Sequence, residues 1–254
     1  MTRPIACALL LTLLLGTASG QSQTNSPPPA SKQKASTSFT EKVLKFLGIS
    51  DSPGTLKGPG NEATSGELWL ADLQAGTTRA LTSSDDYNSP IFLAGAGQVL
   101  ALRGTDVVQV PAVGGQARKL YSVNGIVKLV GASSADAGTV LILLRGEAGG
   151  HPHVGLLTVT TGAVSSVPYD PASSQDLQMV EELEGWSRSY GDRHIYLKHQ
   201  SKQALSGPVE WSDVFLQVGN QPPVNASQCD GVNCGQPSLS ENGRLLVFVK
   251  ADAE

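Results

Sequence analysis

The residues of this sequence whose types and spacing best suit defined chemistry are two cysteines near its C-terminal end. Cys229 and Cys234 are separated only by Asp-Gly-Val-Asn. In an oxidising compartment, two thiols this close in a glycine-containing turn favour a disulfide that closes a short loop. A zinc site would need two further ligands, and none lies close in the sequence. We therefore predict a Cys229–Cys234 disulfide rather than a metal site or free thiols, with no metal and no cofactor.

The remaining candidate ligands and acid or base groups do not form a recognisable constellation. His151 and His153 flank a proline in a turn, whereas His194 and His199 lie an odd number of residues apart on a predicted strand and face opposite sides. Signatures of serine hydrolases, phosphate-binding loops and zinc proteases are missing from the sequence. One acidic stretch is expected to be a solvated face in a strand or loop: Glu181, Glu182 and Glu184. We predict no catalytic residues and expect that the protein is not an enzyme.

Composition and the first residues indicate a folded, exported protein. The chain has 254 residues, of which 40% are hydrophobic, and its net charge of −4 without a basic cluster argues against nucleic acid as a partner. Residues 1–20 have the pattern of a signal peptide, with Arg3, a short apolar run and small residues before a cut after Gly20. The apolar run is about half the roughly 20 residues that a membrane span needs. We predict a periplasmic or secreted protein with no stable membrane span after cleavage.

The segment that follows, residues 21–66, differs in composition from the rest of the chain. It is a Pro/Ser/Lys-rich linker that cannot bury enough apolar surface to fold by itself. Within it, residues 38–48 predict a short amphipathic helix, because Ser38 and Glu41 fit a capping box and Gly48 is a stop signal. Such a helix can dock on its own domain, on a partner or on a membrane surface, and we expect the first.

From Glu67 onward the sequence alternates two hairpin-like units. One unit is a glycine, an apolar strand and a cation, and its four copies end at Arg103, Arg145, Lys198 and Lys250. The other is a strand, a glycine turn and a strand, and its copies begin at Glu67, Asp106, His153 and, more weakly, Trp211. Two hairpins per repeat make a four-stranded antiparallel sheet, and radial repetition of such sheets is typical of a β-propeller. We predict an all-β propeller domain over residues 67–254, with about four blades.

Two stretches of the sequence resemble the WD40-like repeats of the TolB family propeller. "QPSLSENGRLLVFVK" is similar to that family's Pro-x-x-Ser-Pro-Asp-Gly-Lys motif, with matches at Pro237, Ser240, Asn242 and Gly243. "LWLADLQAGTTRALT" is similar to its companion motif, with matches that include Asp72 and Gly76. The inner repeats are degenerate, and Glu241 replaces the usual proline. The resemblance implies a propeller fold and a docking role in the cell envelope.

The order of the units predicts how the domain is completed. The chain begins with the second unit and ends with the first, so residues 68–73 and 245–249 are expected to share one sheet. This pairing would cover strand edges that otherwise expose backbone donors and acceptors. The TolB family propeller has six blades where we count four, so either this propeller is small or further blades lie outside the chain.

These observations lead to a functional hypothesis with two alternatives. We expect a secreted or periplasmic, non-catalytic propeller that acts as a scaffold for a protein partner in the cell envelope. The residues predicted to contact this partner lie in "ELEGWSRSYGDRH": Trp186, Arg188, Tyr190 and Arg193. Packing between blades is the competing interpretation of the same residues. The alternative functions are an extracellular hydrolase or its accessory propeller, and binding of cell-wall glycans through exposed aromatic side chains.

Overall fold

The computed structural model describes residue 43 and residues 64–84, 86–93, 97–133, 136, 138–146, 151–184 and 188–251; for residues 182, 184 and 188–190 it describes the backbone. These residues form four antiparallel sheets of four strands each and a helix, α1 (Ser174–Glu184). The predicted all-β, propeller-like fold is confirmed, and we call the four sheets blades 1 to 4.

The strand order is the same in every blade when read from the first strand of each repeat. Blade 1 contains β3 (Tyr87–Phe92), β4 (Gln98–Arg103), β5 (Asp106–Pro111) and β6 (Arg118–Ser122). Blade 2 contains β7 (Ile126–Ala132), β8 (Thr139–Leu144), β9 (His153–Thr158) and β10 (Val164–Ser166). Blade 3 contains β11 (Arg188–Tyr190), β12 (Arg193–Ala204), β13 (Gly207–Val218) and β14 (Val224–Asn225). Blade 4 contains β15 (Asn233–Leu239), β16 (Leu245–Ala251), β1 (Glu67–Asp72) and β2 (Thr77–Ala80).

The first strands of neighbouring blades contact one another. β3 of blade 1 contacts β7 of blade 2 and β15 of blade 4, and β15 also contacts β11 of blade 3. The chain therefore places its blades side by side with equivalent strands adjacent, as radial repetition requires.

Blade 4 combines the two ends of the repeat region, as the sequence predicts. β1 pairs with β16 in antiparallel register, from Glu67 opposite Lys250 to Asp72 opposite Leu245. The ladder continues past the strand ends, where Leu73 N–H donates to the carbonyl of Arg244 over 2.9 Å. The prediction that residues 68–73 and 245–249 share one sheet is confirmed for residues 68–72 and 245–249, which lie in the paired strands.

The second strand of blades 1, 2 and 4 has a continuous apolar run because both of its faces are buried, whereas β12 of blade 3 is buried only at Ile195 and Leu197. In β16, Val247 and Val249 pack in a cluster with residues of blade 1, whereas Leu246 and Phe248 pack in a cluster with residues of blade 3. Successive side chains of a strand point to opposite faces, so each face meets a different neighbouring blade. β4 and β8 show the same burial over their central residues. This explains the apolar run in the sequence of these three strands.

Helix α1 is a feature that the sequence interpretation missed. The acidic stretch expected in a strand or loop lies in this helix instead, and Glu181 is exposed as expected. Ser173 caps the helix, since its hydroxyl accepts from Asp176 N–H and its carbonyl accepts from Leu177 N–H. Met179, Val180 and Leu183 then pack against blade 2. The pattern Ser-x-x-Asp before an apolar periodicity was the available signal.

The signal peptide of residues 1–20 and most of the linker of residues 21–66 lie outside the described residues. Of the predicted helix 38–48 only Val43 is described; it is helical and buried in the cluster that α1 forms with blade 2. Within the described part of the chain, no helix is long and apolar enough to cross a membrane.

Candidate functional site

The predicted contact residues lie at the start of blade 3. Trp186 is outside the described residues, and Arg188 and Tyr190 bound strand β11, which pairs with β12 from Arg193 to Ile195. Arg193 is half-buried, and its Nη1 donates to the carbonyl of Gly243 in blade 4. This bond gives Arg193 a structural role between two blades. A partner contact by these residues remains a prediction.

The two cysteines are joined in the structure. Cys229 and Cys234 form a disulfide with their Cα atoms 6.4 Å apart, and both residues are buried in the cluster between blades 3 and 4. The bond closes a short loop between β14 and the start of β15, and both cysteines pack between the two blades. No group of three acidic, histidine or cysteine side chains suited to a metal ion occurs among the described residues.

The first repeat motif forms a turn that ties the two ends of the repeat region together. The Asp72 carboxylate accepts from the backbone N–H groups of Gln74 and Ala75, both over 3.0 Å, and Gly76 closes the turn with a φ of 65°. A positive φ is readily adopted only by glycine, which accounts for Gly76. Asp72 also accepts from Arg244 Nη2 over 2.9 Å. The motif residues therefore connect β1 to the turn before β16.

The second motif is equally structural. Ser240 Oγ accepts from Leu245 N–H over 2.9 Å, Asn242 Oδ1 accepts from Arg244 N–H over 3.0 Å, and Gly243 has a φ of 62°. These bonds build the tight turn between β15 and β16. Asparagine in place of aspartate preserves the acceptor that this turn requires.

The proline of the second motif follows a strained backbone position. Gln236 has a φ of 49° immediately before Pro237, and in blade 1 Ser89 has a φ of 50° immediately before Pro90. Both positions lie where strand register shifts. The Gln236 side chain accepts from Ser89 N–H and donates to the carbonyl of Thr64, over 2.8 Å for the latter bond. The two equivalent kinks thus lock blade 4 to blade 1.

The link between Asp72 and Arg244 makes stability depend on pH. The Arg244 guanidinium, followed by the Ala75 N–H, lowers the pKa of the Asp72 carboxyl below its usual value. A lowered folded pKa contributes stability above the unfolded pKa of about 4, and this contribution is lost as the pH falls through the folded pKa.

We expect Asp72→Asn to destabilise the protein at pH 7 and to equal the wild type at strongly acidic pH, because only the ionised carboxylate binds Arg244 strongly. Urea unfolding at a series of pH values measures the difference. Arg244→Gln should reproduce the loss at pH 7, and the double variant should add little to it. A difference between Asp72→Asn and wild type that stays constant from pH 7 to pH 2 would contradict this account.

Asp213 is the buried carboxylate that sequence reasoning missed. It lies in the middle of β13 and accepts from Ser227 Oγ, Cys229 N–H and Trp211 Nε1, at 3.0, 2.8 and 2.9 Å. The signal was a single aspartate inside the apolar stretch "WSDVFL", which normally indicates a satisfied buried group. Ser227 and Cys229 lie in the loop that contains the disulfide, and Trp211 lies in β13 beside Asp213. Asp213 therefore holds this loop against the strand.

The hairpin of β12 and β13 extends well beyond its sheet. Each strand has 12 residues, whereas β11 pairs only with residues 193–195 and β14 only with residues 215–216. None of residues 200–210 is buried, and Leu205 at the tip is fully exposed. We call residues 200–210 the arm. At about 3.3 Å per strand residue it projects on the order of 15 Å.

The base of the arm carries a basic and aromatic face. Lys198 Nζ lies 4.9 Å from the ring centroid of Phe215, which in turn stacks on Tyr196 with centroids 6.0 Å apart. On the opposite face, His199 Nε2 lies 3.5 Å from Glu210, and its buried Nδ1 has no hydrogen-bond partner. The sequence interpretation did not single out the arm, because its polar residues show no burial periodicity.

Of the comparisons with known proteins, the one with solved structures finds similar chains. No family model matches the chain, and no curated protein matches it. An isopeptidase structure, "AtxE2 Isopeptidase - APO", matches with 13% identity and a TM-score of 0.27 over 67% of this chain and 30% of that one. The structure of TolB from Acinetobacter baumannii matches with 17% identity and a TM-score of 0.34 over 80% of this chain and 49% of that one. The chain spans half or less of the length of these proteins, and at these scores they define no family for it.

Proposed function

We propose that this protein is a non-catalytic propeller that works outside the cytoplasm and binds a protein partner through the arm of blade 3. The observation that carries the proposal is the projection of residues 200–210 from the sheet, with none of them buried. Val209 packs against the cluster between blades 3 and 4, but no residue of the arm is buried. A hairpin with so little buried surface contributes little to its own stability, because an isolated two-stranded hairpin is marginally stable in water. Binding to a partner accounts for its length.

Two further observations support this assignment. The buried Cys229–Cys234 disulfide fits an oxidising compartment such as the periplasm or the extracellular space. The tip residue, Leu205, is apolar and fully exposed, so it is accessible to a partner that meets the arm.

The structure offers less support for glycan binding. Trp211 is buried and donates to Asp213, and Trp69 is covered by Lys250, whose Nζ lies 4.3 Å from the ring centroid. Trp69 and Trp211 are the tryptophans within the described residues, and their surroundings do not favour stacking of a sugar on either ring.

Site-specific photocrosslinking tests the proposal. A photoreactive amino acid at Leu205 is expected to yield a defined crosslinked partner in the native host, because this side chain lies at the tip of the arm. The matched control is the same replacement at Val113, which is exposed in a turn after β5 of blade 1. No product from position 205, or the same product in equal yield from position 113, would overturn the assignment of the arm.

A further inference from the structure

Among the described residues, no strand pairs with the outer edge of β12 beyond Ile195. β11 covers the outer edge of β12 only as far as Ile195, yet β12 continues to Ala204. In an antiparallel pair, backbone N–H and C=O groups of successive residues point alternately toward the partner strand and away from it. Some residues of β12 beyond β11 must therefore direct their backbone groups outward.

The hydrogen bonds of Val214 identify these residues. Val214 N–H donates to Ser227 Oγ, and its carbonyl accepts from Ala226 N–H, so the backbone groups of Val214 point away from β12. Its partner in register is Leu197. Because the pattern alternates, His199, Ser201 and Gln203 also direct their N–H and C=O groups outward. Among the described residues, no backbone group pairs with these outward groups.

The opposite edge of the hairpin is closed. Pro208 has no N–H, Ser212 N–H donates to Asn233 Oδ1 over 3.2 Å, and Val214 bonds to residues 226 and 227. Only Glu210 keeps an outward N–H along this stretch. An added strand therefore has a continuous row of partners on β12 and not on β13.

The side chains of β12 indicate which strand would bind there. Lys198 and Lys202 are exposed, lie on one face of the strand and are four residues apart, and His194 extends the same row. β12 contains no carboxylate, although the whole protein has a net charge of −4. Two copies of β12 side by side would place like charges together, which disfavours self-pairing.

We propose that the outer edge of β12, from His199 to Gln203, binds an extended acidic segment of the partner protein as an added β-strand. Carboxylates four residues apart in that segment face Lys198 and Lys202, while its backbone completes the bonds of His199, Ser201 and Gln203. The inference rests on the proposed docking function, for which it specifies the chemistry of the partner.

A synthetic peptide tests the chemistry directly. The probe is a fluorescein-labelled ten-residue peptide of alternating Glu and Thr, and the readout is fluorescence anisotropy with the purified full-length protein. The acidic peptide is expected to bind, and a Lys and Thr peptide of the same length is not. Methylation of the backbone nitrogens of one alternating set of residues in the acidic peptide should abolish binding, whereas methylation of the other set should not, since only one set faces β12. Equal binding of the acidic and basic peptides would overturn the proposal.

Two proline variants, each of which removes an N–H that points away from the hairpin, show which edge binds the peptide. Ser201→Pro removes a donor that faces away from β13 and leaves the hairpin ladder intact, and it should weaken peptide binding about tenfold. Glu210→Pro removes the equivalent donor on the other edge, and its binding should lie within about twofold of that of Glu210→Gln, which removes the same charge but keeps the N–H. Lys198→Glu combined with Lys202→Glu should also weaken binding about tenfold and needs no proline. Unchanged binding by the double lysine variant would overturn the acidic partner even if Ser201→Pro failed to fold.

The same variants distinguish failure of this inference from failure of the docking function. If the partner still crosslinks to position 205 in the double lysine variant and in Ser201→Pro, the arm docks a protein but not by acidic strand addition. If position 205 yields no partner, the docking function itself fails. A stable dimer in sedimentation analysis that Ser201→Pro dissolves would assign the edge to a second copy of the chain and overturn the acidic segment.

Discussion

Replacement of Asp213 by alanine is expected to lower the free energy of unfolding by about 4 kcal/mol, because three buried donors lose their acceptor at once. These donors are the Ser227 hydroxyl, the Cys229 N–H and the Trp211 indole N–H. A buried donor without a partner costs roughly 1–3 kcal/mol, and the space left by the carboxylate adds to the loss. Urea unfolding followed by tryptophan fluorescence measures the change.

The matched control is Asp213→Asn, which keeps one of the two side-chain oxygens as an acceptor. Asp213→Asn can retain the oxygen that accepts from Ser227 and Cys229, and it loses only the acceptor of Trp211. We expect about half of the alanine effect, on the order of 2 kcal/mol. A loss below about 1 kcal/mol for Asp213→Ala would show that water satisfies these donors and that the carboxylate does not organise the loop.

Replacement of Phe248 by alanine is expected to destabilise the protein by a similar amount, about 4 kcal/mol. Phe248 is fully buried in the centre of β16, where it lies opposite Trp69 and packs in the cluster between blades 3 and 4. Its removal leaves a cavity beside the strand that joins the chain ends. The measurement is the midpoint and slope of urea unfolding, with an unchanged slope indicating that only stability is affected.

Leu205→Ala is the control for this change. It also shortens a large apolar side chain, but Leu205 is fully exposed at the tip of the arm, so its replacement should alter stability by less than about 0.5 kcal/mol. Equal effects of the two substitutions would contradict the burial that defines blade 4.

The sequence allowed the blades to be predicted because burial on both faces leaves a simple pattern. A strand such as β16 meets a different blade on each side, so every residue from Leu246 to Val249 is apolar and the run is visible in the sequence. The turn residues Asp72, Ser240 and Asn242 were recognised by their resemblance to known repeat motifs, and the structure shows that they supply the acceptors that tight turns need. Their pairing across the chain ends followed from the order of the units.

The candidate site was less predictable, for physical reasons that differ between residues. The exposed arm has no buried face, so residues 200–210 carry no periodicity that would reveal two long strands. In the sequence, nothing links Asp213 to its hydrogen-bond donors, because Ser227 and Cys229 reach it only when their loop is folded. Sequence reasoning selected the segment that begins blade 3, and Arg193 lies there, but its bond to Gly243 depends on a turn about fifty residues away.

The pairing of β1 with β16 also constrains when the protein can mature during its synthesis. β1 leaves the ribosome long before β16 exists, and it must wait while some 170 further residues are made. Closing so long a loop is slow, and a waiting edge strand is open to wrong partners. Blades 1 and 2 consist of consecutive segments and can form earlier. Blade 4 can therefore be completed only after β16 is available, and until then the edge of β1 that pairs with β16 has no partner strand.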